Sequence, residues 1–147
     1  MPVPVSDQTI YDISHVIQVS VAPVFLLTSI GTILGVLSAR MARIVDRVRA
    51  LYDRLESAPE DRIAGIHAEM HTLARRRHLV NMAITFGTTS ALLVCVSIAT
   101  MFLGAVLKAS VGMAVASLFI LAMAAFVAAL VFFLKEVLLA VRSLIIS

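Results

Sequence analysis

The sequence predicts an all-α membrane protein with three transmembrane helices and a cytoplasmic antiparallel helical hairpin formed by inward extensions of the first two. Three observations predict this class. Apolar residues make up 61% of the chain and charged residues only 14%, whereas a soluble domain is usually about half apolar and about a quarter charged. The excess lies in uncharged blocks of about 20 residues or more, the length that a helix needs to cross a bilayer. A charged, amphipathic stretch separates the first two blocks.

These blocks divide a single membrane domain, residues 1–147, into six parts. They are an outer N-terminal segment (1–15), a first span (16–37), a hairpin (38–78), a second span (79–107), a third span (111–134) and an inner C-terminal helix (135–147). The first segment contains Asp7 and Asp12 and no Lys or Arg. It therefore lacks the basic start of a cleaved signal peptide, and the first span is predicted to be retained. The apolar tail after Lys135 is expected to continue as a helix, on the hairpin base or along the inner interface.

The distribution of basic residues predicts the topology. Nine of the twelve Lys and Arg residues are arginines between the first two spans. Cytoplasmic loops carry such an excess. We therefore expect a multi-pass protein of the bacterial inner (cytoplasmic) membrane, with the N-terminus outside and the C-terminus inside.

Two apolar stripes predict that the arginine-rich stretch is helical. Residues of each stripe recur at steps of three and four, the spacing of one face of a helix. The first stripe is Ile44, Val48, Leu51 and Leu55, and the second is Ile63, Ile66, Met70 and Leu73. Pro59 lies between them, within "SAPE". The stripes are predicted to face each other as a coiled-coil hairpin.

The stretch "APVFLLTSIGTILGVLSARMARIVDRVRAL", residues 22–51, resembles the signature of a bacterial membrane-protein family, domain of unknown function 2721 (DUF2721). The later "RRRHLVNMAI", residues 75–84, is also similar. Nearly the whole chain falls within the family's usual extent. The resemblance implies three spans with an inner helical loop, and it implies no activity.

Small residues predict close helix packing. Gly31 and Gly35 form a GxxxG pair in the first span, and Ala83, Gly87 and Ala91 form a ridge at every fourth position of the second. Such faces let helix backbones approach closely in a membrane. Because the three spans offer more of this surface than one monomer uses, we expect a homo-oligomer.

A polar stripe on the first span leaves a second interpretation open. Gln18, Ser29 and Thr32 lie roughly opposite the glycines. They could line a pore between subunits, or they could only pack while their hydroxyls bond to their own backbone. The leading hypothesis is an uncharacterised assembly or interaction role. The alternative is an oligomeric ion channel lined by the first span.

The arginines at the membrane ends of the hairpin also have two interpretations. Anionic headgroups attract basic residues at this level, so membrane lipid is an expected partner. The same residues could instead surround a pore mouth. They are Arg40, Arg43, Arg47, Arg75, Arg76 and Arg77.

Three histidines form a weak metal-binding candidate. His67, His71 and His78 share a helix face, and an i, i+4 pair is able to bind zinc. The acid in "HAEMH" is Glu69, one place later than in the metalloprotease motif. A pH-sensitive contact or a solvated face are the alternatives. No metal, cofactor or enzymatic activity is predicted. Nucleic acid is not an expected partner, because topology accounts for the basic excess.

Overall fold

The computed structural model describes residues 5–146, with side chains for 10–142, 144 and 145, and these residues form three α-helices. The helices are α1 (Val5–Ser57), α2 (Glu60–Leu107) and α3 (Gly112–Ile146). Each contains a stretch long and apolar enough to cross a membrane. The prediction of an all-helical chain with three potential spans is therefore confirmed.

The helices extend beyond the predicted spans. α1 begins at Val5 and runs through Pro23. Residues 5–22 contain neither glycine nor another proline that would interrupt the hydrogen-bonded backbone. α3 continues past Lys135 to Ile146, so residues 135–146 form its last turns. Residues 1–4 and 147 of the predicted terminal segments lie outside the described residues.

Two short connections join the helices. Between α1 and α2, the amide of Arg62 donates to the carbonyl of Pro59 at 3.0 Å. Glu60 and Asp61 occupy the first turn of α2, where negative charge is favourable. Between α2 and α3, the amide of Ala109 donates to the carbonyl of Gly104 at 3.0 Å, and Lys108 adopts a left-handed φ of 56°.

The described chain divides into two compact units. The first is the part up to Thr32 together with Gly87–Phe126. In this unit the hydroxyl of buried Ser90 donates to the carbonyl of Ala122 at 2.7 Å, which links α2 to α3. A Cβ on Gly104 would lie 2.3 Å from Cγ2 of Val111. Glycine is therefore needed at position 104 for this close approach.

The second unit is Ile33–Phe86 together with the chain from Val127 onward. It contains one buried apolar cluster, to which α1 and α2 both contribute. The members are Leu37, Ile44, Leu51, Leu73, Val80 and Ala83. The half-buried Val48, Ile66 and Met70 pack against it, so residues of both predicted stripes belong to the same core.

Burial recurs every seven residues along the helices, as in coiled coils. In α1 the buried positions at this interval are Ile30, Leu37, Ile44 and Leu51. In α3 they are Ala122, Ala129 and Glu136. A glutamate thus occupies a core position of α3.

Candidate functional site: a glutamate held by two arginines

A buried carboxylate on α3 is bound by one arginine from each of the other helices. The side chain of Glu136 is 0% exposed. Arg40 of α1 donates from Nη1 to Oε2 at 2.8 Å. Arg76 of α2 donates from Nε and from Nη2 to Oε1, each at 3.1 Å. We call Arg40, Arg76 and Glu136 the Glu136 cluster.

Helical repeats place these three side chains together. Glu136 follows the buried Ala129 by seven residues on α3. Arg76 falls between buried Leu73 and Val80, and Arg40 is three residues after buried Leu37. Residues three, four and seven apart share a helix face. Each charged residue therefore lies on, or beside, the face that its helix turns to the core.

The charges of the cluster compensate each other only in part. Two guanidiniums and one carboxylate sum to one positive charge. An isolated carboxylate taken out of water costs several kcal/mol, but here both oxygens accept charge-assisted hydrogen bonds, which are the strong kind. The side chains of Arg40 and Arg76 are 32% and 22% exposed and keep part of their hydration. The arrangement is thus suited to holding three helices at a fixed register.

Aromatic side chains of α2 and α3 lie close to the cluster in sequence, and one of them contacts Arg40. The rings of Phe86 and Phe132 stack with centroids 5.6 Å apart and planes inclined by 12°. Cζ of Arg40 lies 5.3 Å from the centroid of Phe133, within cation–π range. The Phe133 ring thus covers Arg40 on one side, and the Phe86–Phe132 stack adds a second contact between α2 and α3.

A third ion pair, outside the Glu136 cluster, joins α1 and α2 in a more exposed setting. Nε of Arg47 lies 2.8 Å from Oε1 of Glu69, and the two side chains are 43% and 42% exposed. Exposed pairs of this kind contribute about 0–1 kcal/mol. The contact marks which faces of the helices meet, but it adds little stability.

The six arginines of the sequence prediction thus have different surroundings. Arg40 and Arg76 bind Glu136, and Arg47 binds Glu69. Arg43, Arg75 and Arg77 are exposed, and no carboxylate of the described residues forms a salt bridge with them. Their predicted contact with lipid, or with a pore mouth, stays a prediction.

The small residues fall into two groups. Gly31 and Gly35 are exposed, and a Cβ at either would meet no atom within 4 Å. On α2, Ala83 and Gly87 are buried and Ala91 is half-buried. The ridge of α2 is therefore used largely within the chain, whereas the glycines of α1 are left open.

The polar stripe of α1 is exposed along its length. Gln18, Ser29 and Thr32 are all accessible on the single chain. The hydroxyl of Ser29 donates to the carbonyl of Phe25 at 3.1 Å, and that of Thr32 donates to Thr28 at 3.0 Å. These hydroxyls thus have partners on their own helix, and a role in lining a pore remains a prediction.

The histidines of the weak metal candidate are exposed on α2. His67, His71 and His78 each lie at the surface. Among the described residues, no group of three or more His, Cys, Asp or Glu side chains is placed to hold a metal ion.

Sequence reasoning missed Glu136. It is the one acid in the described part of α3, and it directly follows Lys135, where the apolar block ends. At the start of an apolar tail, a single acid beside a lysine attracts no attention. Its spacing of seven from Ala129, and of fourteen from Ala122, was the available indication that it continues a buried face.

Three apolar helices, joined by ion pairs at one end of their apolar blocks, define an all-helical multi-pass membrane protein. Residues 20–146 match the family described as "Protein of unknown function (DUF2721)". The chain belongs to this family. No curated protein and no solved structure matches it.

Proposed function

We propose that the protein is a homo-oligomeric membrane protein with a non-enzymatic role in assembly or interaction, and that its subunits meet through the glycine face of α1. The observation that carries the proposal is the open surface at Gly31 and Gly35, where a Cβ would meet nothing within 4 Å. Glycines one turn apart in an apolar helix favour close helix–helix contact in lipid. Among the described residues, no helix packs against this face at Gly31 or Gly35.

The proposal includes an orientation in the bacterial inner membrane. The N-terminus lies outside, the C-terminus lies inside, and residues 38–78 form a helical hairpin in the cytoplasm. Nine arginines between the first two apolar blocks support this orientation. The hairpin is supported by the shared burial of Ile44, Leu51 and Leu73 and by the Arg47–Glu69 pair.

Anionic lipid is the proposed partner at the inner surface. Arg43, Arg75 and Arg77 support this, because they are exposed and have no salt bridge among the described residues. Near an anionic surface each basic residue contributes about 1 kcal/mol of attraction.

The mass of the intact complex in nanodiscs tests the assembly. The wild-type chain should give a defined multiple of 15.8 kDa, and Gly31→Leu with Gly35→Leu should shift it to monomer. Ala22→Leu is the matched control, since Ala22 is exposed and lies about 180° around α1 from Gly31. A monomeric wild type, or an oligomer that survives the double glycine substitution, would refute the proposal.

A second candidate is an oligomeric channel lined by α1. It is favoured by the exposure of Gln18, Ser29 and Thr32. Of these, Gln18 and Ser29 lie about 100–160° around α1 from the two glycines. Assembly through the glycines would have to turn this stripe toward a shared axis. Both functions require an oligomer, and ion flux separates them.

A further inference from the structure

A groove between α2 and α3 combines an apolar floor with three basic side chains. Its volume is about 560 Å³. Leu79 of α2 and Leu138 and Leu139 of α3 supply most of the apolar lining. Arg75 of α2 and Lys135 and Arg142 of α3 supply the charge, and no acidic residue lines it.

Helix spacing explains this combination. On α3, Leu138 and Leu139 follow Lys135 by three and four residues, and Arg142 follows it by seven, so all lie along one face. On α2, Leu79 follows Arg75 by four. Two turns of helix separate Lys135 from Arg142 by about 10 Å. The α3 side of the groove thus has a basic residue at each end, Lys135 and Arg142, and leucines between them.

The Glu136 cluster leaves these charges uncompensated. Glu136 is the one acid in the described part of α3, and both of its carboxylate oxygens are bound by Arg40 and Arg76. None of the ion pairs among the described residues includes Arg75, Lys135 or Arg142. The ammonium of Lys135 lies 5.8 Å from the Phe132 ring centroid, a contact that leaves its charge in place.

The Arg76–Glu136 contact also fixes the register of the groove. Arg75 directly precedes Arg76, and Lys135 directly precedes Glu136. Each groove base therefore neighbours a residue of the ion pair that joins the two helices. The uncharged block of α2 begins at Leu79 and that of α3 ends at Leu134, so the groove lies where apolar surface gives way to charge.

We propose that this groove binds an anionic phospholipid, with its phosphates on Arg75, Lys135 and Arg142 and an acyl chain along Leu79 and Leu138. The inference rests on the membrane location proposed above and deepens it, because it names one site within the general contact with anionic lipid. Basic pockets between transmembrane helices at the inner surface are suited to such headgroups. Three unpaired cations spread over about 10 Å match a lipid with two phosphates better than one with a single phosphate.

Native mass spectrometry of the full-length chain, titrated with defined lipids, tests the site. The probes are tetraoleoyl cardiolipin (two phosphates), dioleoyl phosphatidylglycerol (one) and zwitterionic dioleoyl phosphatidylcholine. Cardiolipin should bind tightest and phosphatidylcholine weakest. The variant Arg75→Gln/Lys135→Gln/Arg142→Gln should lose about 100-fold in cardiolipin affinity, at roughly a tenfold factor or less for each charge.

The matched control is Arg49→Gln/Arg54→Gln/Arg62→Gln. It removes the same charge from exposed residues that do not line the groove, and it should change cardiolipin affinity less than threefold. Arg75→Lys/Arg142→Lys keeps the charges and should retain cardiolipin binding. It shows whether substitution at these positions by itself disrupts folding. Equal losses in groove variant and control would overturn the site, because attraction would then be non-specific.

Three further results would also overturn it: equal binding of phosphatidylcholine, equal binding of phosphatidylglycerol and cardiolipin, or displacement of the lipid by millimolar inorganic phosphate. The last would reveal a site for free phosphate. Subunit number is read from the same spectra. An oligomer that does not bind cardiolipin would refute the lipid site alone, whereas a monomer would refute the assembly proposal.

Discussion

Arg76 and Glu136 join α2 to α3 by two hydrogen bonds of 3.1 Å to a single carboxylate oxygen. The other oxygen accepts from Arg40 of α1, so one fully buried acid contacts two helices at once. The Glu136 cluster is therefore the point in the second unit at which one substitution loosens two helix contacts.

Glu136→Gln should lower the free energy of unfolding by about 1–3 kcal/mol. Breaking a buried ion pair costs about 3–5 kcal/mol, but the partial exposure of both arginines reduces the penalty. Thermal unfolding in neutral detergent measures the effect. Glu69→Gln is the control, because its 2.8 Å pair with Arg47 is exposed, and it should cost less than about 1 kcal/mol. Equal losses of unfolding free energy in the two variants would contradict the conclusion that Glu136 is the more important ion-pair partner.

The combined substitution Arg40→Met/Arg76→Met/Glu136→Leu should recover most of the stability that Glu136→Gln loses. Replacing a buried ionic triad by apolar side chains of similar volume removes the desolvation cost together with the attraction. The same unfolding assay applies. A triple variant less stable than Glu136→Gln would mean that the ion pairs contribute more than they cost to desolvate.

Ser90→Ala should destabilise the protein by about 1 kcal/mol, because its hydroxyl bonds the carbonyl of Ala122 on another helix. Ser97→Ala is the matched control. Ser97 is also buried on α2, but its hydroxyl bonds Leu93 of its own helix at 2.9 Å. The control should change stability by less than about 0.5 kcal/mol, since alanine is the better helix former. A larger loss at Ser97 than at Ser90 would reverse this interpretation.

Two glycines of α2 should respond oppositely to alanine. Gly104→Ala places a methyl 2.3 Å from Cγ2 of Val111, and relieving this overlap should cost about 1–3 kcal/mol. Gly65→Ala meets nothing within 4 Å and should stabilise the helix by about 0.5–1 kcal/mol. Unfolding temperatures of the two variants, measured side by side, check the signs. A stabilising Gly104→Ala would show that Val111 moves aside freely.

Gln18→Leu and Ser29→Leu should leave subunit number unchanged, because both positions lie at least about 100° around α1 from Gly31 and Gly35. If α1 lines a channel, either change should abolish ion flux in liposomes, since leucine dewets a narrow path. If the role is assembly alone, the wild type should show no flux to lose. Dissociation of either variant to monomers would instead place the polar stripe in the subunit contact.

The helices were predictable because length and composition decide them. Uncharged blocks of bilayer length require helices, since every backbone polar group must be satisfied internally in lipid. Their ends were less predictable. The predicted first span starts at residue 16, whereas α1 begins at Val5, because neither glycine nor proline interrupts the helix between residues 5 and 15.

Partners within the candidate site were the harder part. Arg40 and Arg76 are separated from Glu136 by 96 and 60 residues, and pairing over such distances depends on how three helices register. From the sequence alone, lipid headgroups were as good a partner for these arginines as Glu136. The glycine pair was visible in the sequence, but its exposure on the single chain required coordinates.

The Glu136 cluster is able to form only late in synthesis, because its carboxylate lies near the end of the sequence. Arg40 and Arg76 leave the ribosome well before Glu136, so a nascent chain with two helices holds two guanidiniums that still lack their shared carboxylate. Completion of α3 supplies it. A chain truncated before residue 136 should therefore be degraded faster by membrane proteases than the full-length protein. Its half-life in pulse–chase labelling should fall well below that of the full-length protein. α3 thus supplies the carboxylate that pairs the half-buried arginines of α1 and α2.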